Sequence, residues 1–132
     1  MRQQLDLGAG RAVLLMDSIS LLTPGDEGAI VVSASHGGVY VGELAAPYAL
    51  KLVTFNDAGI GKDSAGTAGL KILERSGIAA CTCASTSARI GDVDDHWRNG
   101  VVSVVNEHAA GIGIRAGMTL REAVDRAASV AA

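Results

Sequence analysis

Aromatic side chains are nearly missing. The 132 residues hold Tyr40, Tyr48, Phe55 and Trp97 and no other ring of that kind. Four rings cannot supply the successive stacking surfaces that hold single-stranded nucleic acid. Lysine is equally scarce, with Lys51, Lys62 and Lys71 alone, and the formal net charge is −3. Such a balance leaves little cationic surface for neutralising phosphates, so no nucleic-acid partner is expected. No apolar run approaches the roughly twenty residues that span a bilayer. The short run at residues 12–16 follows Asp6 and Arg11 and has not the flanks of a signal peptide. No membrane partner is expected, and the chain reads as cytoplasmic.

Cysteine is limited to Cys81 and Cys83. In a strand, side chains two apart share a face, so both thiols point the same way. A disulfide across that spacing is strained, and a zinc site needs two further ligands nearby. The pair therefore reads as small, reduced core residues. No metal and no cofactor are expected.

What is plentiful is glycine and alanine, 17 and 22 residues, within a chain that is 48 % apolar. That is enough apolar material to fold, and the length suits one hydrophobic core. Small side chains bury less area each, at about 25 cal/mol per Å². A homo-oligomer is therefore expected, a dimer by default, with residues 101–105 and 120–132 as the candidate faces.

Residues 1–10 show no clear period, end in Gly-Ala-Gly and read as a loosely held arm before a single domain at 11–132. Apolar runs at 12–16, 29–33, 51–55 and 78–84 have the character of buried strands. Between them lie helical stretches at 41–49 and 64–76, the latter with an inner stripe of Ala65, Ala68, Gly69, Ile72 and Leu73. Residues 92–99 form a short helix with acids in its first turn, and residues 104–112 a helix with Ser103 as a candidate N-cap. Thr119 and Glu122 match a capping box for a last helix carrying Leu120, Ala123, Val124, Ala127 and Ala128 on one side. Strands alternating with helices predict a single-domain α/β fold, a mostly parallel sheet with helices packed on it in a Rossmann-like three-layer arrangement. The strand order is not legible.

In open α/β sheets, ligands bind beyond the carboxyl ends of the strands. Three loops leave such ends here, and each carries polar or reactive side chains. The first sets Ser35 and His36 before Gly37 and Gly38, whose backbone N–H groups can approach a ligand. His36 is a candidate acid–base group or a residue closing its own turn. The second holds Asn56, Asp57, Gly59, Gly61, Lys62 and Asp63. It lacks the first glycine and the hydroxyl residue of a phosphate-binding Walker loop, and no acid closes the next strand as dinucleotide binding requires. Lys62 is a candidate for holding a carboxylate or phosphate, Asp57 for orienting His36 or taking a proton, and Asp63 for capping the next helix. The third offers Ser85, Thr86, Ser87 and Arg89. Arg89 suits two-pronged binding of an anion, or pairs with Asp92, Asp94 or Asp95. No nucleophile-elbow motif surrounds Ser87. His96 and His108 read as surface or interface residues on helices.

The expectation is a small enzyme acting on a small anionic metabolite by general acid–base chemistry, open among lyase, isomerase and hydrolase. His36, Asp57 and Lys62 are its candidate catalytic residues. Ser35, Gly37, Gly38, Asn56, Gly59, Gly61, Ser87 and Arg89 are candidates for substrate binding. The alternative is a non-catalytic small-molecule-binding or scaffolding subunit.

Overall fold

A computed structural model describes residues 1–130. They form one six-stranded sheet and five α-helices. The strands are β1 (Arg2–Gly8), β2 (Arg11–Met16), β3 (Ile30–His36), β4 (Leu52–Asn56), β5 (Ala79–Cys83) and β6 (Val102–Val105). The helices are α1 (Val39–Ala45), α2 (Gly69–Arg75), α3 (Val93–Asn99), α4 (Glu107–Gly111) and α5 (Leu120–Ala128).

Strands lie in the sheet in chain order, β1 to β6. The pairs β2–β3, β3–β4 and β4–β5 are parallel, while β1–β2 and β5–β6 are antiparallel. The sheet is therefore mixed, parallel through its centre and antiparallel at both margins. A doubly wound sheet reverses its strand order at one point. This one never does, so the α/β class holds and a Rossmann-like layout is not confirmed.

Residues 1–10 are not an arm. Arg2–Gly8 is an edge strand laid along β2 through a turn in which Gly8, Ala9 and Gly10 all have positive φ. The Arg2 guanidinium holds the buried Asp26 carboxylate with both terminal nitrogens, at 2.8 and 2.6 Å, and Thr23 N–H adds a third bond at 2.8 Å. Arg2 first, and then that N–H, hold the Asp26 carboxyl below its usual range against the opposing effect of burial.

The period of two divides each strand between two cores. Val13, Leu15, Ile30, Val32, Leu52, Cys81 and Cys83 pack with Val93, Leu120 and Val124 of α3 and α5. Leu14, Met16, Val31, Val53 and Phe55 pack with Val41, Leu70 and Leu73 of α1 and α2. Both cysteines are buried, unbridged and on one face, and burial pushes each thiol up to about 12.

Alanine and glycine let backbones meet. A Cβ on Gly42 of α1 would lie 2.8 Å from Cα of Gly69 in α2, and Gly69 N–H donates to Gly37 O at 2.8 Å. This contact shortens the helix expected at 64–76. It begins only at Gly69, with Gly69, Leu70 and Leu73 as its buried residues, while Asp63 and Ser64 take positive φ in the approach. Asp63 therefore caps nothing. Ser103 lies inside β6, and Asn106 caps α4 by accepting from Ala109 N–H. Thr119 and Glu122 form the expected capping box of α5. Among the described residues, no helix is long and apolar enough to cross a membrane.

Candidate functional site

The carboxyl ends of the parallel strands meet at one rim. His36 stands opposite Asn56 in the β3–β4 register, and Asn56 opposite Cys83 in the β4–β5 register. The loop after β5 returns to β3, where Gly91 N–H donates to Ala34 O at 2.9 Å. Beside this junction an open cleft of about 480 Å³ is bordered by Ser18, Ser35, His36, Tyr40, Ile90 and Gly91. A groove of similar size, about 490 Å³, lies between α2 and the β6–α4 corner. Of the candidate residues it holds only Asp63, whereas the cleft is bordered by Ser35 and His36.

His36 is exposed at the end of β3. Its Nδ1 accepts from Gly38 N–H at 3.1 Å. In the neutral ring the proton then resides on Nε2, which has no hydrogen-bond partner among the described residues. The neighbouring Ser35 Oγ accepts from Ile19 N–H at 2.9 Å, tying the β2–β3 connection to the cleft floor. Asp17, also on the border, is bonded to the terminal ammonium and to Val93 N–H, and these bonds lower its carboxyl pKa.

Asn56 and Asp57 act as internal fasteners. Asp57 is buried, and its Oδ1 accepts from Gly59 N–H at 2.8 Å and Ser85 N–H at 3.0 Å. No hydrogen bond joins Asp57 to His36 among the described residues, so the two do not form the dyad considered from the sequence. Asn56 is fully buried. Its Nδ2 donates to Ala88 O at 2.9 Å and to His96 Nε2 at 3.2 Å, while Oδ1 accepts from Ala58 N–H at 2.8 Å.

The glycine N–H groups are engaged within the chain. Gly37 donates to Asn56 O, Gly38 to His36, Gly59 to Asp57 and Gly61 to Gly59 O. Ser87 Oγ donates to Ala84 O and accepts from Val101 N–H. Lys62 is exposed on the second loop. Arg89 is exposed and borders a separate hollow with Asp92, Asp94, Asp95 and Arg98. Neither makes an ion pair among the described residues.

His96 is the residue that the sequence reading misplaced. It is fully buried, whereas His108 is exposed beside Glu74 as a surface residue. The signal was present in the helix period. Val93, His96, Trp97 and Gly100 fall at i, i+3, i+4 and i+7, the spacing of an inward stripe. His96 Nδ1 lies 2.7 Å from Asp92 O and must donate to that carbonyl, leaving Nε2 to accept from Asn56. The neutral ring satisfies both contacts; a protonated ring would turn a second donor on Asn56 Nδ2.

Burial lowers the His96 pKa from its ordinary 6.5, against the opposing influence of Asp92, Asp95 and Asp17. The unfolded chain thus binds a proton near pH 6.5 that the folded chain refuses. Stability is therefore full above pH 6.5 and declines as pH falls from there toward the folded pKa, by up to about 1.4 kcal/mol per pH unit. Denaturant titrations between pH 7 and 5 should show this slope in the wild type and lose it in His96→Gln. Parallel curves would remove His96 from the account.

Among the described residues, no group of three or more His, Cys, Asp or Glu is placed to hold a metal ion. Comparison with protein-family models, with curated proteins and with solved structures finds no match.

Proposed function

We propose that this chain is a small enzyme that moves a proton on a small anionic metabolite bound at the strand-end cleft, with His36 as general acid–base. The observation that carries the reading is the setting of His36: one ring nitrogen is held by Gly38 N–H, and the ring is exposed on the border of the cleft. A ring fixed at one nitrogen and open at the other can take up and give back a proton at its free nitrogen. The cleft volume falls within the range of about 300–1,000 Å³ usual for small-molecule sites. Lys62 and Arg89, exposed and unpaired among the described residues, stand on the other two strand-end loops outside the cleft lining and would draw a carboxylate or phosphate toward this rim. Proton abstraction or donation beside such a group covers lyase, isomerase and hydrolase chemistry alike.

The test is a panel of small carboxylates and phosphates titrated into isotope-labelled protein in deuterated water. Resonances of Ser35, His36, Tyr40, Ile90 and Gly91 should shift, and a bound compound should exchange a carbon-bound proton with solvent. His36→Ala should slow that exchange at least about 100-fold while leaving the melting temperature close to wild type. Exchange that persists in His36→Ala, or shifts gathered at the α2–β6 groove, would refute the reading.

A second reading, a non-catalytic binding or scaffolding subunit, is favoured by one feature. Tyr40, Ile90 and Val39 are 68 %, 50 % and 48 % exposed on or beside the cleft border, an apolar fringe suited to contact. Binding without exchange in the same titration would select it.

A further inference from the structure

We infer that the outer edge of β1 is an interface at which a second copy of this chain adds, antiparallel, to make one continuous sheet across a two-fold axis through Gln4. The edge is open: β1 ends the strand order, and its one sheet partner is β2. Seven residues of unpaired edge are long for a solvated margin; Arg2–Gly8 has no proline or lysine, its two charges are of opposite sign, and its register irregularity is confined to the end between Asp6 and Gly8.

The ladder fixes which groups face outward. Asp17 N–H donates to Met1 O, and the register then runs Arg2 to Met16, Gln3 to Leu15 and Gln4 to Leu14. In an antiparallel pair, hydrogen-bonded and non-hydrogen-bonded positions alternate. Met1, Gln3 and Leu5 therefore turn their backbone groups to β2, while Arg2, Gln4 and Asp6 turn theirs outward.

Charge then chooses the register. Centring the axis on Arg2 or on Asp6 would set like charges face to face. Centring it on Gln4 sets Arg2, whose guanidinium also holds Asp26 of its own chain, opposite Asp6 of the second copy, twice over, and Gln4 opposite its own copy. All three outward residues then meet outward residues, each pair exchanging two N–H···O bonds. On the side of the sheet facing α5, Leu5 and Leu7 lie partly buried against the core and extend that apolar layer toward the second copy. Opposite charges directly across a pair of strands favour it, and like charges oppose it.

Gln4 is exposed and takes no part in either core, so its replacement leaves the protomer intact. Analytical ultracentrifugation of the full chain at micromolar concentration should give twice the 13.4 kDa chain mass. Gln4→Lys and Gln4→Glu each place like charges on the axis and should each weaken self-association at least tenfold, with circular dichroism unchanged and melting lowered only by the loss of the dimer contact. An equimolar mixture of the two variants should recover the doubled mass, because the axis then joins opposite charges. A monomeric wild type overturns the inference. So does a doubled mass in either variant alone, or a mixture that fails to reassociate.

Discussion

Gly66→Ala should cost the protein more than about 3 kcal/mol, the upper part of the overpacking range, and leave little folded chain at moderate denaturant. The reason is a contact between two stretches of backbone. A Cβ at position 66 would lie 1.9 Å from Asp57 O, 2.9 Å from Asp57 C and 3.1 Å from Ile60 O. No flexible side chain can move aside there. Gly66 N–H also donates to Ile60 O at 2.7 Å, so the loop cannot open without losing that bond. Displacing Asp57 would pull its carboxylate from Gly59 and Ser85 N–H and separate the second and third loops. Against a typical stability of about 5–15 kcal/mol, such a loss is a large fraction of the whole. Gly111→Ala supplies the contrast. That residue closes α4 with nothing within 4 Å of a built Cβ, and the change should be neutral or stabilising by up to about 1 kcal/mol. Urea titrations of both variants check the pair of signs. A Gly66→Ala variant within 1 kcal/mol of wild type would show that the two backbones do not approach so closely.

Asn106→Ala should destabilise by about 3–5 kcal/mol, the sum of a lost N-cap and stranded buried groups. This buried side chain uses all its capacity. Oδ1 accepts from Ala80 N–H and Ala109 N–H, each at 3.0 Å. Nδ2 donates to Ile78 O at 2.9 Å and Leu70 O at 3.3 Å. One amide thus joins α2, the start of β5 and the first turn of α4. Asn106→Asp separates the roles, because a carboxylate still accepts from the two N–H groups but faces the two carbonyls with lone pairs. It should fall nearly as far at neutral pH and recover part of the loss in acid, where a protonated carboxyl donates once more. Equilibrium unfolding at pH 7 and pH 4 measures both effects. Equal stability of wild type and Asn106→Ala would mean that water replaces the side chain without penalty.

Features governed by nearest-neighbour chemistry were legible in the sequence. Thr119 and Glu122 announce α5 because a capping box is local. Cys81 and Cys83 announce a shared face because a strand has a period of two. The three strand-end loops announce the rim. What escaped depends on partners distant in the chain. An edge strand needs only half a buried face, so Arg2–Gly8 has too weak an alternation to stand out, and its Gly-Ala-Gly resembles a tether while serving as a hairpin turn. Ser64 looks like the start of a helix, yet the approach of Gly66 to Asp57 and of Gly69 to Gly37 keeps the chain in separate turns, and a regular α-helix begins only at residue 69. The glycines of the first two loops suggested ligand donors, while the structure uses their N–H groups to bind the loops together. His96 followed its polar neighbours to the surface in the sequence reading, although its own stripe turned it inward.

The chain-order sheet also bears on how quickly the molecule assembles. Each strand pairs with the strand just before it or just after it in the chain, and no pairing waits for a distant segment to arrive. The β1–β2 hairpin turns within Ala9 and Gly10, an event of microseconds. The crossovers through α1 and α2 close longer loops, but closure entropy grows only as the logarithm of loop length. The strand ladder is thus built from neighbours, while the packing of α3 and α5 on β2 and β3 joins segments far apart in the chain and comes later. Two of the three parallel crossovers, those through α1 and α2, share one seam, where Gly42 meets Gly69 and Gly66 meets Asp57. Those glycines therefore stand where the two crossovers must come together as the sheet closes.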